Sequence, residues 1–245
     1  MYTREEFEDL RIQSARKMAT DEKLGADALD VLVRADKYSW IHQTNWLGEP
    51  ALQLPQDMFA MQEIIYASRP DYIIEAGVAW GGSLLFYSTL FEVIGGKKVI
   101  GIDTYIPQDL RDRLYSHGRV SKRIILISGS SVDPAVIKKL TSIVRKSKRV
   151  LAILDSNHTR DHVLSELRIY SRFVGKGHYI VCGDTVIEDI PEQKHRPRPW
   201  GHGNSPKTAV EIFLKEDEAF TRDTALENKL LFTCNPGGYL VKKKD

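Results

Sequence analysis

The chain of 245 residues is 42% hydrophobic and 28% charged, the composition of an ordinary globular domain. Its 35 basic and 33 acidic residues are interspersed and sum to a net charge of +2, which gives no reason to expect a nucleic-acid partner. No apolar run approaches the roughly 20 residues that a membrane span requires. Cys182 and Cys234 lie in apolar runs where we expect reduced, buried thiols. These features predict a cytoplasmic protein without a membrane span.

The N-terminal segment differs in character from the rest of the chain. Residues 3–36 are charged and helix-forming, with apolar positions at mixed helical spacing, so we predict one or two helices outside the core. Residues 37–55 add large aromatic side chains punctuated by Gly and Pro, which predicts an irregular segment. Trp40 and Trp46 within it either fasten the segment to the core or form part of a substrate wall.

From residue 56 onwards, short apolar runs alternate with helical stretches, and this pattern predicts a parallel sheet covered on both faces. The last two runs are separated only by Asn235-Pro236-Gly237 and must therefore pair antiparallel. We predict strands at 71–75, 98–102, 123–128, 149–154, 178–182, 230–234 and 238–242, and helices at 56–68, 83–94, 134–146 and 159–173.

This pattern is typical of one fold class. A doubly wound, Rossmann-like α/β sheet that is closed by a C-terminal antiparallel hairpin is the sheet of class I methyltransferases. We therefore divide the chain into an N-terminal helical and aromatic arm over residues 1–55 and a methyltransferase-like domain over residues 56–245.

A glycine-rich turn follows the first strand of the predicted sheet. Glu75 and Gly77 end the strand, Gly81 and Gly82 form a bend, and Ser83 can cap the next helix. Such a turn lets a ligand approach the backbone closely. The full Gly-x-Gly-x-x-Gly pattern is absent, and the Glu75 carboxylate would repel a pyrophosphate while favouring a cation. We therefore predict S-adenosylmethionine as the cofactor.

Acidic residues also follow other predicted strands, and ligands bind at such strand ends in doubly wound sheets. Asp103 lies where an acidic residue binds the ribose hydroxyls in nucleoside-binding folds, although it can instead cap the following loop. Ser130, Ser131 and Asp133 follow the third strand and either border the adenine or simply start a helix.

The ends of the fourth and fifth strands predict the acceptor chemistry. Asp155 and Asp184 supply the oxygen ligands that suit Mg²⁺. His158 is placed to remove a proton from a substrate hydroxyl, which makes Asp155 and His158 the candidate catalytic residues. His158 and His162 have the spacing of a zinc pair, but Thr159 replaces the expected Glu, so we interpret His162 as a polar residue on a helix surface.

A long loop rich in Pro and Gly over residues 191–206 follows the fifth strand. Loops of this length in compact domains are either functional or disordered. We interpret this one as a lid over the acceptor.

The chain contains four further sequence motifs: Trp46-x-Gly48-x-Pro50, Leu154-Asp155-Ser156-Asn157-His158, Ala209-x-Glu211-x-Phe213-Leu214 and Pro236-Gly237-Gly238-Tyr239-Leu240. Together with the turn, Gly101-Ile102-Asp103 and Gly129-Ser130-Ser131, they resemble the cephalosporin hydroxylase family over about residues 38–242.

The resemblance implies a class I methyltransferase fold, because that family includes cephamycin-biosynthesis enzymes and methyltransferases that act on sugar hydroxyls of glycolipids. It implies an S-adenosylmethionine-dependent O-methyltransferase with a small-molecule acceptor, a sugar or natural-product hydroxyl. It also implies a metal site like that of catechol O-methyltransferase, with His158 at the position of that enzyme's catalytic Lys. The resemblance and the aromatic arm further favour a homo-oligomer.

One departure from the family pattern concerns the metal. The family usually has Glu-Asp after the fifth strand, whereas this chain has Gly183-Asp184. Either another group such as Glu188 or a water completes the shell, or metal binding is weak or lost. Two alternatives stay open. The family name suggests a hydroxylase, with an iron bound by Asp155, His158 and His162. The missing Glu suggests a non-catalytic subunit that supports a partner enzyme.

Overall fold

The computed structural model describes residues 2–244 and begins with two helices, α1 (Arg4–Ala19) and α2 (Glu22–Asp36). A capping box between Thr3 and Glu6 starts α1, which buries none of its residues. In contrast, α2 buries Ala28 and Leu32. The predicted N-terminal helices are therefore present, and only the second packs on the body of the protein. The boundary at residue 55 stays a prediction.

A short antiparallel pair, β1 (Asn45–Trp46) and β2 (Glu49–Pro50), precedes a seven-stranded sheet. The strands of this sheet are β3 (Tyr72–Ala76), β4 (Lys98–Asp103), β5 (Ile124–Ser128), β6 (Val150–Leu154), β7 (Tyr179–Cys182), β8 (Phe220–Arg222) and β9 (Tyr239–Lys242). Their order is β5-β4-β3-β6-β7-β9-β8, in which only β9 pairs antiparallel, with both of its neighbours. The predicted doubly wound sheet with an antiparallel C-terminal edge is confirmed.

Helices cover both faces of the sheet, because successive residues of each strand point to opposite sides. The α-helices after residue 54 are α3 (Pro55–Ser68), α4 (Gly82–Ile94), α5 (Gln108–Ser116), α6 (Pro134–Val144), α7 (Arg160–Tyr170), α8 (Pro206–Glu216) and α9 (Thr224–Glu227). Ile73 packs with α3 and α4 on one face, and its neighbour Ile74 packs with α6, α7 and α8 on the other.

The predicted strand at 230–234 is wrong. On the outer side of β9, the pairing strand is β8 instead of the 230–234 segment. β8 lies earlier in the chain and is joined to β9 by a connection that includes α9. The polar groups of the 230–234 segment bond a buried carboxylate instead of a neighbouring strand. Asp57 of α3 accepts hydrogen bonds from the Thr233 hydroxyl at 2.5 Å and from the Cys234 backbone N–H at 3.0 Å. The apolar run therefore packs against α3 without extending the sheet.

Both cysteines are free and buried, as the composition predicts. Cys182 ends β7, whereas Cys234 lies in the non-strand segment that packs on α3. Across residues 2–244, none of the helices combines the length and the apolar character that crossing a membrane would require.

Candidate active site

A cavity of about 730 Å³ opens at the carboxyl ends of the parallel strands. This volume lies within the range of small-molecule sites. Parallel pairing brings the strand ends to one rim: the Asp155 N–H donates to the Ala76 carbonyl, and the Gly183 N–H donates to the Leu154 carbonyl, both at 2.8 Å. The predicted site residues that line the cavity are Glu75, Gly77, Ser83, Asp103, Ser130, Ser131, Asp155, His158 and Asp184.

The turn after β3 needs glycine for reasons of contact. Gly77 has φ of +97°, and a β-carbon there would overlap the Asp155 carbonyl oxygen, so only glycine fits between β3 and β6. Gly81 packs against the Leu114 side chain, and Gly82 lies against the backbone of Pro50. These last two glycines do not line the cavity; they bring α4 close to α5 and to β2.

Glu75 is the most deeply buried acid of the rim, with 1% of its surface exposed. Burial raises the pKa of Glu75 to about 8, against hydrogen bonds from Ser83 and Tyr87 that lower it. The Ser83 hydroxyl donates to the carboxylate at 2.8 Å. Ser83 was predicted as a helix cap, but Gly81 occupies the N-cap position and the Ser83 side chain serves Glu75 instead. A cationic ligand in the cavity would favour the ionised carboxylate.

Asp103 holds the turn and lines the cavity at the same time. Its carboxylate accepts the Val78 N–H at 2.9 Å and the Tyr105 N–H at 3.1 Å. Through Tyr105 this acid caps the loop that follows β4, as its alternative interpretation predicts, and through Val78 it also fixes the loop after β3. Carboxylate oxygens have further acceptor positions, so the ribose role is compatible with these bonds.

The segment after β5 divides between the cavity and the next helix. Ser130 and Ser131 line the cavity. Asp133 does not, because its carboxylate accepts the Ala135 N–H at 2.7 Å and caps α6 at its N-terminus. The structure thus brings the two serines to the site and uses Asp133 to start a helix.

Asp155, His158 and Asp184 form the acceptor-side cluster. One ligand atom from each lies within 4.8 Å of those of the other two, a spacing that suits a single divalent cation. The His158 Nε2 atom is 3.6 Å from an Asp184 carboxylate oxygen. Burial, and secondarily the Asp184 charge, raises the pKa of Asp155 to about 6. Two crowded carboxylates of this kind are stabilised by a cation between them.

The position of the missing Glu is filled by a neighbour. A β-carbon at Gly183 would lie 2.6 Å from the Asp155 carboxylate, so Asp155 occupies the space that a side chain there would need. Glu188 does not complete the cluster. Its carboxylate accepts hydrogen bonds from the Gly203 N–H and the Ser205 hydroxyl and pairs with His202, which ties down the end of the 191–206 loop.

The outer wall of the cavity comes from α2, residues 40–42 and the loop 191–206, and it includes Asp36, Trp40, His42, Arg196, Arg198 and Trp200. Trp200 packs edge-on against His158, with 4.8 Å between ring centroids. Trp40 lies in this wall, whereas Trp46 packs against Phe86 and fastens the arm. Both tryptophans therefore fasten the arm, because Trp40 also packs against Phe232, and a substrate contact of Trp40 stays a prediction.

Three side chains of the loop converge on one acid of α2. Asp36 accepts hydrogen bonds at 2.8 Å from Gln193 and from Arg196, and pairs at the same distance with His195. Sequence reasoning missed this contact because its partners are about 160 residues apart. No local pattern marks Asp36 as different from the other acids of the helix.

The environment of His162 corrects its interpretation as a surface residue. His162 lines the cavity, and its Nε2 atom lies 3.2 Å from the Ser131 hydroxyl and 3.4 Å from Glu166, a fully buried acid. The spacing of four residues between His162 and Glu166 on α7 was the available signal. In the described part of the chain, His162 is not among the cation-holding residues, so the three-residue iron set is not assembled.

The strand order and the acidic rim define a class I methyltransferase. The family model described as Rhamnosyl O-methyltransferase/CmcI matches residues 38–243, and the chain belongs to this family. It is accordingly an enzyme, an O-methyltransferase that depends on S-adenosylmethionine.

Relatives and structures agree with this assignment. The chain is 29% identical over 205 residues to the rhamnosyl O-methyltransferase of Mycobacterium bovis, with 82% of this chain and 78% of the relative covered. The corresponding protein of Mycobacterium leprae is 29% identical over 203 residues, with coverages of 82% and 83%. Among solved structures, apo CmcI-N160 superposes with a TM-score of 0.58 at 19% identity, covering 83% of this chain and 78% of that one.

Proposed function

We propose that the chain transfers the methyl group of S-adenosylmethionine to a hydroxyl of a sugar or related natural product. The observation that carries this proposal is one cavity that is lined both by Glu75 and Asp103, at the ends of β3 and β4, and by the cluster of Asp155, His158 and Asp184 after β6 and β7. The named activity of the mycobacterial relatives, rhamnosyl O-methylation, supports a sugar acceptor.

On the donor side, Glu75 supplies the negative charge that a sulfonium and an α-ammonium favour. The Asp103 carboxylate would accept hydrogen bonds from the ribose hydroxyls while it holds the turn through Val78. Ser130 and Ser131 would border the base. The donor would thus be held by residues at the ends of β3, β4 and β5.

On the acceptor side, His158 takes the proton from the attacking hydroxyl at Nε2. Asp184 lies on the same side of the imidazole and stabilises the imidazolium that forms. Trp200 covers the imidazole and limits access of water from the outer wall. Much of the acceleration comes from holding the hydroxyl in line with an already reactive methyl group.

The carboxylates of Asp155 and Asp184 fit a divalent cation by their oxygen ligands and their spacing, which leaves the His158 imidazole to act as the base. A structure titled cmcI-D160 Mg-SAM, with a TM-score of 0.55 at 19% identity, covering 82% of this chain and 77% of that one, names Mg²⁺ in its own site. We infer that Asp155 and Asp184 hold Mg²⁺ here, where it would lower the pKa of an acceptor hydroxyl.

Calorimetry tests the donor site. S-adenosylhomocysteine should bind, and Asp103→Ala should weaken that binding by about tenfold through the loss of charge-assisted hydrogen bonds. Asp133→Ala is the matched control, because Asp133 caps a helix outside the cavity. The absence of binding at millimolar ligand would exclude the proposal.

Titration with Mg²⁺ tests the metal separately. Asp184→Asn should weaken binding by about tenfold or more, since it removes one of two charged ligands. Asp189→Asn is the control, because Asp189 pairs with Lys207 and does not line the cavity. Equal Mg²⁺ affinity in Asp184→Asn and the wild type would exclude this cluster as the site.

We also propose a cytoplasmic homo-oligomer. Two buried free cysteines are consistent with a reducing compartment. Light scattering on the purified chain measures the mass directly, and a monomer over the working concentration range would contradict the oligomer.

A further inference from the structure

The cavity is divided by charge along its length. Four of the carboxylates that line it, those of Glu75, Asp103, Asp155 and Asp184, follow the strands β3, β4, β6 and β7. The outer wall instead carries His42, Arg196 and Arg198, with Asp36 as its acid. The inner half therefore suits cations, and the outer half requires a separate explanation.

Pairing removes most of the charge from one of the two arginines. Arg196 donates to Asp36 at 2.8 Å, and His195 shares the same carboxylate. Arg196 and Asp36 thus neutralise each other and hold the loop to α2. Among the residues that the structure describes, no carboxylate is paired with Arg198.

The position of Arg198 is nevertheless defined. Its guanidinium carbon lies 5.5 Å from the centroid of the Trp200 ring, a cation–π contact. A cation–π contact uses none of the N–H donors as hydrogen bonds, so the fork of the guanidinium remains available to the oxygens of an anion. Trp200 in turn packs against His158. The three side chains form a series from the proposed base, across an aromatic ring, to an unpaired cation at the mouth.

We propose that the acceptor is an anionic sugar, one that carries a phosphate next to the ring whose hydroxyl is methylated. The inference rests on the proposed function and names its substrate class. With the hydroxyl at His158, a sugar ring beside Trp200 would bring its phosphate within reach of the Arg198 donors, because Trp200 contacts both of these side chains. A guanidinium binds phosphate oxygens through two parallel hydrogen bonds, which explains an arginine at this position.

The test measures binding of three probes to the protein saturated with S-adenosylhomocysteine: methyl α-L-rhamnoside, L-rhamnose 1-phosphate and dTDP-L-rhamnose. We expect both phosphorylated probes to bind at least about tenfold more tightly than the neutral one, and this advantage should shrink as salt rises. Tighter binding of the nucleotide sugar alone would mean that the nucleoside is recognised instead of the phosphate, and would overturn the proposal.

Arg198→Gln should reduce the advantage to about twofold or less, and Arg198→Lys should keep an intermediate part of it because the charge stays while the planar fork is lost. Lys194→Gln is the matched control, an exposed cation of the same loop that does not line the cavity. An unchanged advantage in Arg198→Gln, equal binding of the neutral probe, or binding of none of the probes would overturn the proposal. Binding of S-adenosylhomocysteine does not involve Arg198, so its absence in the wild type would count against the proposed function itself.

Discussion

The two halves of the cavity are built in different ways. The proposed donor half comes from the ends of β3, β4 and β5, and its acids are fixed by neighbouring backbone and side-chain donors such as the Val78 N–H and the Ser83 hydroxyl. The acceptor half joins β6 and β7 to α2 and the loop 191–206, which meet through Asp36. The donor half belongs to the sheet, whereas the acceptor half depends on tertiary contacts between separate segments.

Because of this difference, the two halves should differ in how readily their residues can be substituted. The donor half cannot change much, because a residue other than glycine at position 77 would collide with the chain at Asp155. The outer wall is carried by a loop and a helix outside the sheet, and loops tolerate substitution more readily than the elements they connect.

The prediction with the largest expected effect is that removal of the proposed base slows methyl transfer without weakening donor binding. His158→Ala should lower turnover by about 10²- to 10⁴-fold, because the attacking hydroxyl loses its base. Binding of S-adenosylhomocysteine should change by less than about twofold, since His158 lies on the acceptor side. Rates of methyl transfer and calorimetry measure the two quantities. A turnover within tenfold of the wild type would show that another group accepts the proton.

The second prediction concerns the free energy that ionisation of the buried Glu75 carboxyl costs the folded protein. The pKa of Glu75 is raised from 4.5 to about 8, so its contribution to stability is complete below pH 4.5 and is lost as the pH rises towards 8. Glu75→Gln removes this titration. Relative to the wild type, the variant should gain on the order of 3 kcal/mol in the free energy of unfolding between pH 5.5 and pH 8.

Urea unfolding at the two pH values measures that gain. S-adenosylmethionine should narrow the difference at pH 8, because a cationic donor stabilises the ionised carboxylate of the wild type alone. Parallel pH dependences in the two proteins would show that Glu75 ionises normally in the folded state.

The smallest expected effect concerns the contact that holds the outer wall. Asp36→Asn removes the charge that binds His195 and Arg196, so the loop should open more often. Trypsin should cleave after Lys194 a few-fold faster, because Arg196 precedes Pro197 and resists trypsin, while cleavage elsewhere keeps its rate. Asp30→Asn, which affects only an exposed pair with Arg34 on the same helix, is the control. Equal cleavage rates would mean that Asp36 does not hold the loop.

The difference between the two halves also explains which parts of the structure could be predicted from the sequence. The donor turn was predictable because its residues are close in sequence and their types follow from a strand, a bend and a helix start. The parallel strands followed from their apolar runs. The edge was misplaced because 230–234 has the composition of a strand, and only the distant Asp57 shows that its polar groups are bonded elsewhere.

In the acceptor half, Asp155, His158 and Asp184 were predictable individually as residues at strand ends. Their convergence within 4.8 Å required the pairing of β6 with β7. The roles of Asp36 and Arg198 were not accessible, because each depends on a neighbour that secondary-structure patterns do not identify. The helical spacing links Glu166 to His162 but does not reveal its bond with Ser156, whose hydroxyl donates to it at 2.7 Å.

The central claim is that one cavity joins a donor half and an acceptor half with separate duties. A paired experiment tests it most directly: binding of S-adenosylhomocysteine and the rate of methyl transfer at saturating donor, both measured for Asp103→Ala and His158→Ala. We predict that Asp103→Ala weakens binding and recovers its rate at high donor concentration, whereas His158→Ala binds normally and stays slow. Loss of binding in His158→Ala, or a rate in Asp103→Ala that saturating donor does not restore, would contradict the division.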